Sequence, residues 1–268
     1  MKRFPEHIPR ILPPALSRTY TIRSCLKYTK QSATYLLSTR ASAQEYLLKT
    51  AVPSVYSDML ANEKKILEHI HRSSDSVFAC AFPLPVYLAV HRGITYYIRT
   101  YIPGQTLEDL CEINYTRPGI DPDLALEYVI SLTRLLQFMH SMEPPLIHRD
   151  IKPQNVVIDP DGGCHFIDLG ISQLYRTELS DDITIMGTKL TAPPEQFRCH
   201  HTDIRSDLYS LGILFYYCLT GEYKVTDAIL DELGPHLAHI IQKVTRPCPK
   251  ERYQSAAELL AALQSART

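Results

Sequence analysis

No stretch of this 268-residue sequence is apolar for long enough to cross a membrane. The longest apolar stretch near a candidate span, Leu211 to Leu219, falls far short of the roughly 20 residues a bilayer requires. Nor does an apolar segment follow Lys2 and Arg3, because Pro5, His7, Pro9, Arg10, Pro13 and Pro14 break up the start of the chain. Neither an export signal nor an anchor is expected. Net charge is almost absent, with 28 basic against 29 acidic residues, so the charge balance gives no reason to expect a nucleic acid or an anionic membrane as partner. Paired cysteines are missing too. The seven Cys, at 25, 80, 111, 164, 199, 218 and 248, form no C-x-x-C and are odd in number. They read as reduced thiols, small buried hydrophobes in a cytoplasmic protein, with no zinc site.

What remains is an ordinary globular composition, 45% hydrophobic and 21% charged, in a chain long enough for one large domain or two small ones. Its most informative stretch is His148-Arg149-Asp150-Ile151-Lys152-Pro153-Gln154-Asn155, a charged loop between two apolar segments, the kind of rigidly held loop that carries chemistry. Val156 to Ile158, the turn Asp159-Pro160-Asp161-Gly162-Gly163, and Cys164 to Ile167 then read as strand, turn, strand. Centred on that turn, Asn155 and Asp168 fall opposite each other, with Cβ atoms roughly 5 Å apart. Two hard oxygen donors on one edge suit Mg²⁺. Asp150 stands nearby as a candidate base.

These residues, with Asp168-Leu169-Gly170 after them, resemble the catalytic and metal loops of the protein kinase family. The resemblance covers about residues 20 to 266 and implies an α+β, bilobal fold. A Pro-rich, extended and partly mobile arm (1–19) precedes a small antiparallel-sheet lobe carrying one helix (20–102), and a larger, mainly helical lobe (103–268) follows. It also implies the site residues. ATP lies between the lobes, near Leu26, Thr34, Leu47 and Val157, with the carbonyl of Thr100 and the amide of Ile102 as adenine partners. Lys49 positions the α and β phosphates, while Asn155 and Asp168 hold Mg²⁺. Asp150 acts on the acceptor hydroxyl. Lys152, found in the serine/threonine class and usually absent from small-molecule kinases of similar topology, contacts the transferring phosphate. Arg99 takes the position that controls the back of the pocket, with a snorkelled surface arginine as the equal alternative.

Spacing gives Glu63 the need for a partner, and the resemblance supplies Lys49 as that partner; the alternative is a frayed helix with Glu63 solvated. In a helix expected over residues 57 to 71, Met59, Leu60, Ile66, Leu67 and Ile70 surround Glu63, so this carboxylate sits inside the apolar stripe and requires a cation. Two departures from the family stand out. The glycine-rich loop pattern falls on Lys27, Thr29 and Ser32 of an expected 27–32 loop, and any of these at positive φ costs about 1 to 2 kcal/mol. Leu47 replaces the usual Ala against the adenine ring.

Further along, Asp121-Pro122 opens a helix to about His140, and Pro103-Gly104 marks a turn. Leu208 to Leu219 is a buried helix ended by Gly221, with Asp207 as its N-cap and, as the resemblance implies, also a hydrogen-bond partner of the catalytic-loop backbone. Ser255 to Glu258 is a capping box. An activation segment runs from Asp168 to Pro193-Pro194-Glu195, with Thr188 near its end and Glu195 paired to Arg252. Arg149 is the type of residue that orders such a segment through a phosphate. Ser180 and Thr184 are the candidate acceptors, and Asp181 and Asp182 supply charge in its place.

The function expected is transfer of the γ-phosphoryl group of ATP to Ser or Thr of a protein substrate, in no stated oligomeric form. The alternatives are a pseudokinase serving as a binding scaffold and a small-molecule phosphotransferase.

Overall fold

Along residues 32–39, Ala33, Tyr35 and Leu37 alternate with Thr34, Leu36 and Ser38, a period of two that makes a strand with two distinct faces. The computed structural model describes residues 12–39, 44–73, 77–113, 118–175, 188–197 and 202–267. It divides into two compact units, Met1–Asp75 with Phe82–Ile102, and Ser76–Ala81 with Pro103–Thr268.

The first unit begins with a short helix α1 (Pro14–Ser17), followed by β1 (Tyr20–Tyr28), β2 (Ser32–Thr39), β3 (Glu45–Ala51) and helix α2 (Val55–Arg72), then β4 (Pro85–His91) and β5 (Ile94–Thr100). The five strands form one antiparallel sheet in the order β1-β2-β3-β5-β4. Register places Tyr35 beside Leu48 and Leu48 beside Ile98. One face of the sheet is therefore an apolar layer of Ala33, Tyr35, Leu37, Leu48, Tyr96 and Ile98, and Leu12 and Leu16 are buried against it. The expected extended arm is corrected over residues 12–19; its residues 1–11 lie outside the described residues. Pro14 sits in the first turn of α1, where its missing N–H costs nothing, and Leu16 turns onto the sheet.

The opposite face carries Thr34, Leu47, Lys49, Tyr97 and Arg99 by the same register. Here the apolar side of α2 packs, with Leu60, Ile66, Leu67 and Ile70 buried. Ser54 caps that helix in a reciprocal capping box with Ser57, which moves its start two residues before the expected one.

The second unit opens on a 3₁₀ turn (Val77–Ala81), then β6 (Gln105–Thr106), α3 (Leu107–Glu112) and α4 (Pro122–His140). There follow β7 (Leu146–Ile147), a 3₁₀ turn (Pro153–Asn155), β8 (Val156–Ile158), β9 (Cys164–Phe166) and β10 (Gln173–Leu174). Helices α5 (Pro194–Phe197), α6 (Ile204–Thr220), α7 (Asp227–Glu232), α8 (Pro235–Val244) and α9 (Ala256–Ser265) complete it. Asp121 caps α4 through the amides of Asp123 and Leu124. Helix α6 is buried along nearly its whole length from Ser206 to Leu219, with α4, α8 and α9 packed around it. Burial of each large side chain of this helix contributes roughly 1.5–3 kcal/mol. Gly221 ends it at φ +74°, a left-handed conformation that relieves the last carbonyls.

Among the described cysteines, all free thiols, Cys111, Cys164 and Cys218 are buried but Cys80 and Cys248 are exposed. The expectation of uniformly buried cysteines fails at those two. Burial pushes the Cys164 thiol up to about 12. The fold class is the one the resemblance implied, an antiparallel-sheet unit with one long helix and a mainly helical unit.

Candidate active site

In the first unit, a side chain closes the turn between β1 and β2. Thr29 Oγ1 accepts the backbone N–H groups of Gln31 (3.1 Å) and Ser32 (3.0 Å), while Thr29 N donates to Ser32 O at 2.8 Å. A hydroxyl satisfying amides two and three residues on is a local turn that requires no glycine. The strands therefore run to Tyr28 and from Ser32, and the expected 27–32 loop shrinks to three residues. Lys27, Thr29 and Ser32 avoid positive φ, which among described non-glycine residues falls only on Arg92 and Arg149. The expected strain does not arise. The consequence lies elsewhere, in two amides that face Thr29. Leu26 lies at a bulge in β1 and is exposed.

Lys49 and Glu63 meet at 2.6 Å between Nζ and Oε2. A second cation joins them, since Arg99 Nε lies 3.1 Å from Glu63 Oε1. Glu63 is 1% exposed and Arg99 3%, so the snorkelled surface arginine is excluded. Leu47, opposite Arg99 in the register, is buried on the same face. The end of β5 is pinned by Thr100, whose N–H donates to Leu84 O at 2.9 Å and whose Oγ1 accepts from Leu84 N at 2.8 Å. Ile102 follows, half-buried.

In the second unit, three side chains converge on one carboxylate. Asp150 Oδ2 accepts from Lys152 Nζ (2.7 Å) and Asn155 Nδ2 (2.8 Å), and Asp150 Oδ1 accepts from Thr188 Oγ1 (3.0 Å). Lys152 Nζ also donates to Thr188 Oγ1 at 2.8 Å. Sequence spacing assigned Thr188 to the activation segment and gave no sign that its hydroxyl reaches the catalytic loop. Below the cluster, Asp207 accepts the backbone N–H of His148 (2.8 Å) and of Arg149 (2.9 Å) and lies 3.0 Å from His140 Nε2. Its N-cap reading is wrong. Helix α6 starts four residues earlier than expected, with Asp203 as cap in a reciprocal box with Ser206, so Asp207 is free to turn to the loop. Arg149 adopts φ +69°, held by those amide bonds and by Gln196 Nε2 donating to its carbonyl at 2.8 Å.

His148 is fully buried against the edge of Phe166, and desolvation lowers its pKa despite the attraction of Asp207, Asp150 and Asp168.

The hairpin differs from expectation by one residue. Val156 pairs with Phe166 and Ile158 with Cys164, and Ile167 N donates to Asn155 O at 3.0 Å. Asn155 is thus matched to Ile167, not directly to Asp168, and it belongs to a 3₁₀ turn where strand alternation no longer holds. Val157 is buried in β8. Gly104 enters the unit at a point where a Cβ would lie 2.1 Å from Ile158 O, so only glycine fits.

The residues nonetheless fit Mg²⁺. Asn155 Nδ2 donates to both the carbonyl and the carboxylate of Asp150, which assigns the amide orientation and puts its side-chain oxygen on the other side. With Asp168, whose Oδ1 accepts Gly170 N at 3.2 Å, the donor set is all oxygen, the preference of a hard cation. Among the described residues no three His, Cys, Asp or Glu side chains converge on a metal position, and a cation held by Asn155 and Asp168 would take its other ligands from phosphate and water.

The segment's C-terminal anchor is a closed network. Arg252 binds Glu195 through both terminal guanidinium nitrogens, Nη1 and Nη2 (2.7 and 2.9 Å), and donates also to the carbonyls of Arg246, Pro247 and Arg205. Ser206 Oγ adds a bond to Glu195 Oε1 at 2.9 Å. Arg149 Nη1 donates to Gln173 Oε1 at 2.8 Å. Ser180, Asp181, Asp182 and Thr184, expected near it, lie outside the described residues.

Comparison with known proteins follows the same residues. Serine/threonine-protein kinase PknB of Mycobacterium leprae is 31% identical over 191 residues, 63% of this chain and 30% of that protein. A probable serine/threonine-protein kinase of Clostridium perfringens is 26% identical over 233 residues, 78% of this chain and 33% of its own. One of Streptomyces coelicolor is 30% identical over 189 residues, 62% and 27% respectively. The chain thus spans about a third of the length of these relatives. No described helix is long and apolar enough to cross a membrane. The family model for the protein kinase domain matches residues 31–266, starting inside the turn that lacks its glycines, and over that span the chain belongs to the protein kinase domain family.

Proposed function

We propose that this chain transfers the γ-phosphoryl group of ATP to a serine or threonine hydroxyl of a protein, with Mg²⁺ as cofactor. The observation that carries this reading is the ring around Asp150, in which Lys152, Asn155 and Thr188 hold one carboxylate from three sides. In the reaction the acceptor oxygen forms a bond to the γ-phosphorus, the bond from that phosphorus to the β–γ bridging oxygen breaks, and ADP leaves. Asp150 orients the acceptor and receives its proton. Thr188, whose hydroxyl occupies Oδ1, marks the oxygen that an incoming hydroxyl competes for. Lys152 offsets the charge on the transferring group, and Lys49 engages the α and β phosphates. Asn155 and Asp168 would hold the cation, which when bound would supply positive charge to the phosphates. The protein's contribution is therefore positioning and fixed charge.

One observation favours a second reading, a fold kept as a binding scaffold. The amides of Gln31 and Ser32, at the place where this family covers phosphate, are engaged by Thr29. The deciding experiment incubates the protein and its Asp150→Asn variant with Mg²⁺ and γ-labelled ATP, then identifies the labelled amino acid. Phosphoserine or phosphothreonine with the parent and none with the variant is expected. No label together with no ATP-induced rise in melting temperature would establish the scaffold.

A further inference from the structure

Glu63 carries two cations where one would suffice. Lys49 on β3 and Arg99 on β5 are not opposite each other, since Lys49 pairs with Tyr97 and Arg99 with Leu47. They are diagonal neighbours on one face of the sheet, within reach of a third side chain. Helix α2 supplies that side chain, and the two cations take different oxygens of it, Lys49 Oε2 and Arg99 Oε1. Neither displaces the other.

We infer that Arg99 is a positioning residue that holds Glu63, and with it helix α2, independently of Lys49, leaving the lysine's charge for the phosphates of a nucleoside polyphosphate. This rests on the kinase reading above. Arg99 is sealed at 3% exposure, whereas Lys49 is 14% exposed, so the lysine is the one of the two cations that an incoming anion reaches. Were Lys49 the sole partner, turning toward phosphate would leave a buried carboxylate uncompensated, a loss of several kcal/mol. Arg99 removes that conflict. The turn at Thr29 makes this division useful, because with the amides of Gln31 and Ser32 engaged, phosphate binding depends more heavily on side-chain cations.

The test uses the full chain and two readouts. Amide hydrogen exchange without nucleotide reports on α2, and calorimetry with Mg²⁺ and ATP reports on phosphate binding, for the parent, Arg99→Met, Arg99→Lys, Lys49→Met and Glu63→Gln. Loss of Arg99 is expected to speed exchange of the α2 amides by about tenfold while the strands stay protected, and Arg99→Lys to restore most of it. Lys49→Met should speed α2 exchange much less but weaken ATP binding more. In the Glu63→Gln background, Arg99→Met should add nothing further, as required of a residue acting through that carboxylate. Unchanged α2 exchange in Arg99→Met, or equal effects of the two cation variants on α2, would overturn the inference whatever the parent binds. A parent that binds no ATP would instead overturn the kinase reading and the phosphate half of the inference, while the exchange data still judge the role of Arg99 in holding α2.

Discussion

The two units keep the motifs of the resemblance to different degrees. In the second, His148 to Asn155 and Asp168 to Gly170 carry the motif residues, and each oxygen of Asp150 has a donor. In the first, the glycine pattern is gone, a threonine closes the turn, and the buried carboxylate of α2 has gained an arginine. The catalytic loop is constrained by reaction geometry, in which a misplaced atom cannot be compensated. A phosphate grip is a sum of attractions, and charge from one side chain can stand in for lost backbone donors. Only the second kind of site tolerates substitution.

The strongest way to break that contrast is at Asp150. Asp150→Asn should lower turnover by about 10²–10⁴-fold with ATP binding retained, measured by single-turnover labelling and calorimetry. Lost ATP binding would make Asp150 a structural residue. Asp168→Asn should abolish Mg²⁺-dependent transfer without altering the unfolding midpoint in urea. Turnover like that of the parent would remove Asp168 from the metal set.

A comparable effect on stability is expected at the anchor of the segment. Arg252→Ala leaves Glu195 buried without its partner and should cost about 3–5 kcal/mol in urea unfolding. Arg252→Lys should recover only part, because an ammonium cannot reproduce the paired contact.

Smaller effects sharpen the first unit's side. Thr29→Ala releases the amides of Gln31 and Ser32 and should tighten Mg·ATP binding by about threefold, roughly the value of one modest hydrogen bond. Weaker binding would show that the closed turn itself assists the nucleotide. The smallest effect concerns pH. The pKa of His148 is lowered by burial, so between that value and its ordinary value near 6.5 the unfolded chain binds more protons than the folded one. Stability should be complete above about pH 6.5 and fall as pH drops below it. Chemical unfolding at several pH values checks this, and a flat profile down to pH 5 would contradict it.

Much of this was legible in the residues. Asp121-Pro122 opened a helix at the place read, and the apolar neighbours of Glu63 put it on the buried side of α2, because capping and period are local properties. What was not legible depended on geometry that sequence does not encode locally. Asp207 looked like a cap because the apolar run begins after it, yet the box of Asp203 and Ser206 precedes it by one turn. The offset of Asn155 from Asp168 follows from the hairpin register, which pairs Val156 with Phe166 and so carries Asn155 to Ile167. Arg99 at the back of the sheet and Thr188 beside Asp150 are long-range contacts, and no spacing announces them.

The burial of Leu12 and Leu16 on the sheet gives the boundary of the family match a practical meaning. A protein trimmed to residues 31–266 would lose β1 with α1 and turn β2 into an edge strand. Its unpaired amides and carbonyls would lie next to an uncovered layer of Tyr35, Leu37 and Tyr96, the arrangement that recruits another chain into a shared sheet. Such a fragment should self-associate, although it contains every residue by which the family is recognised.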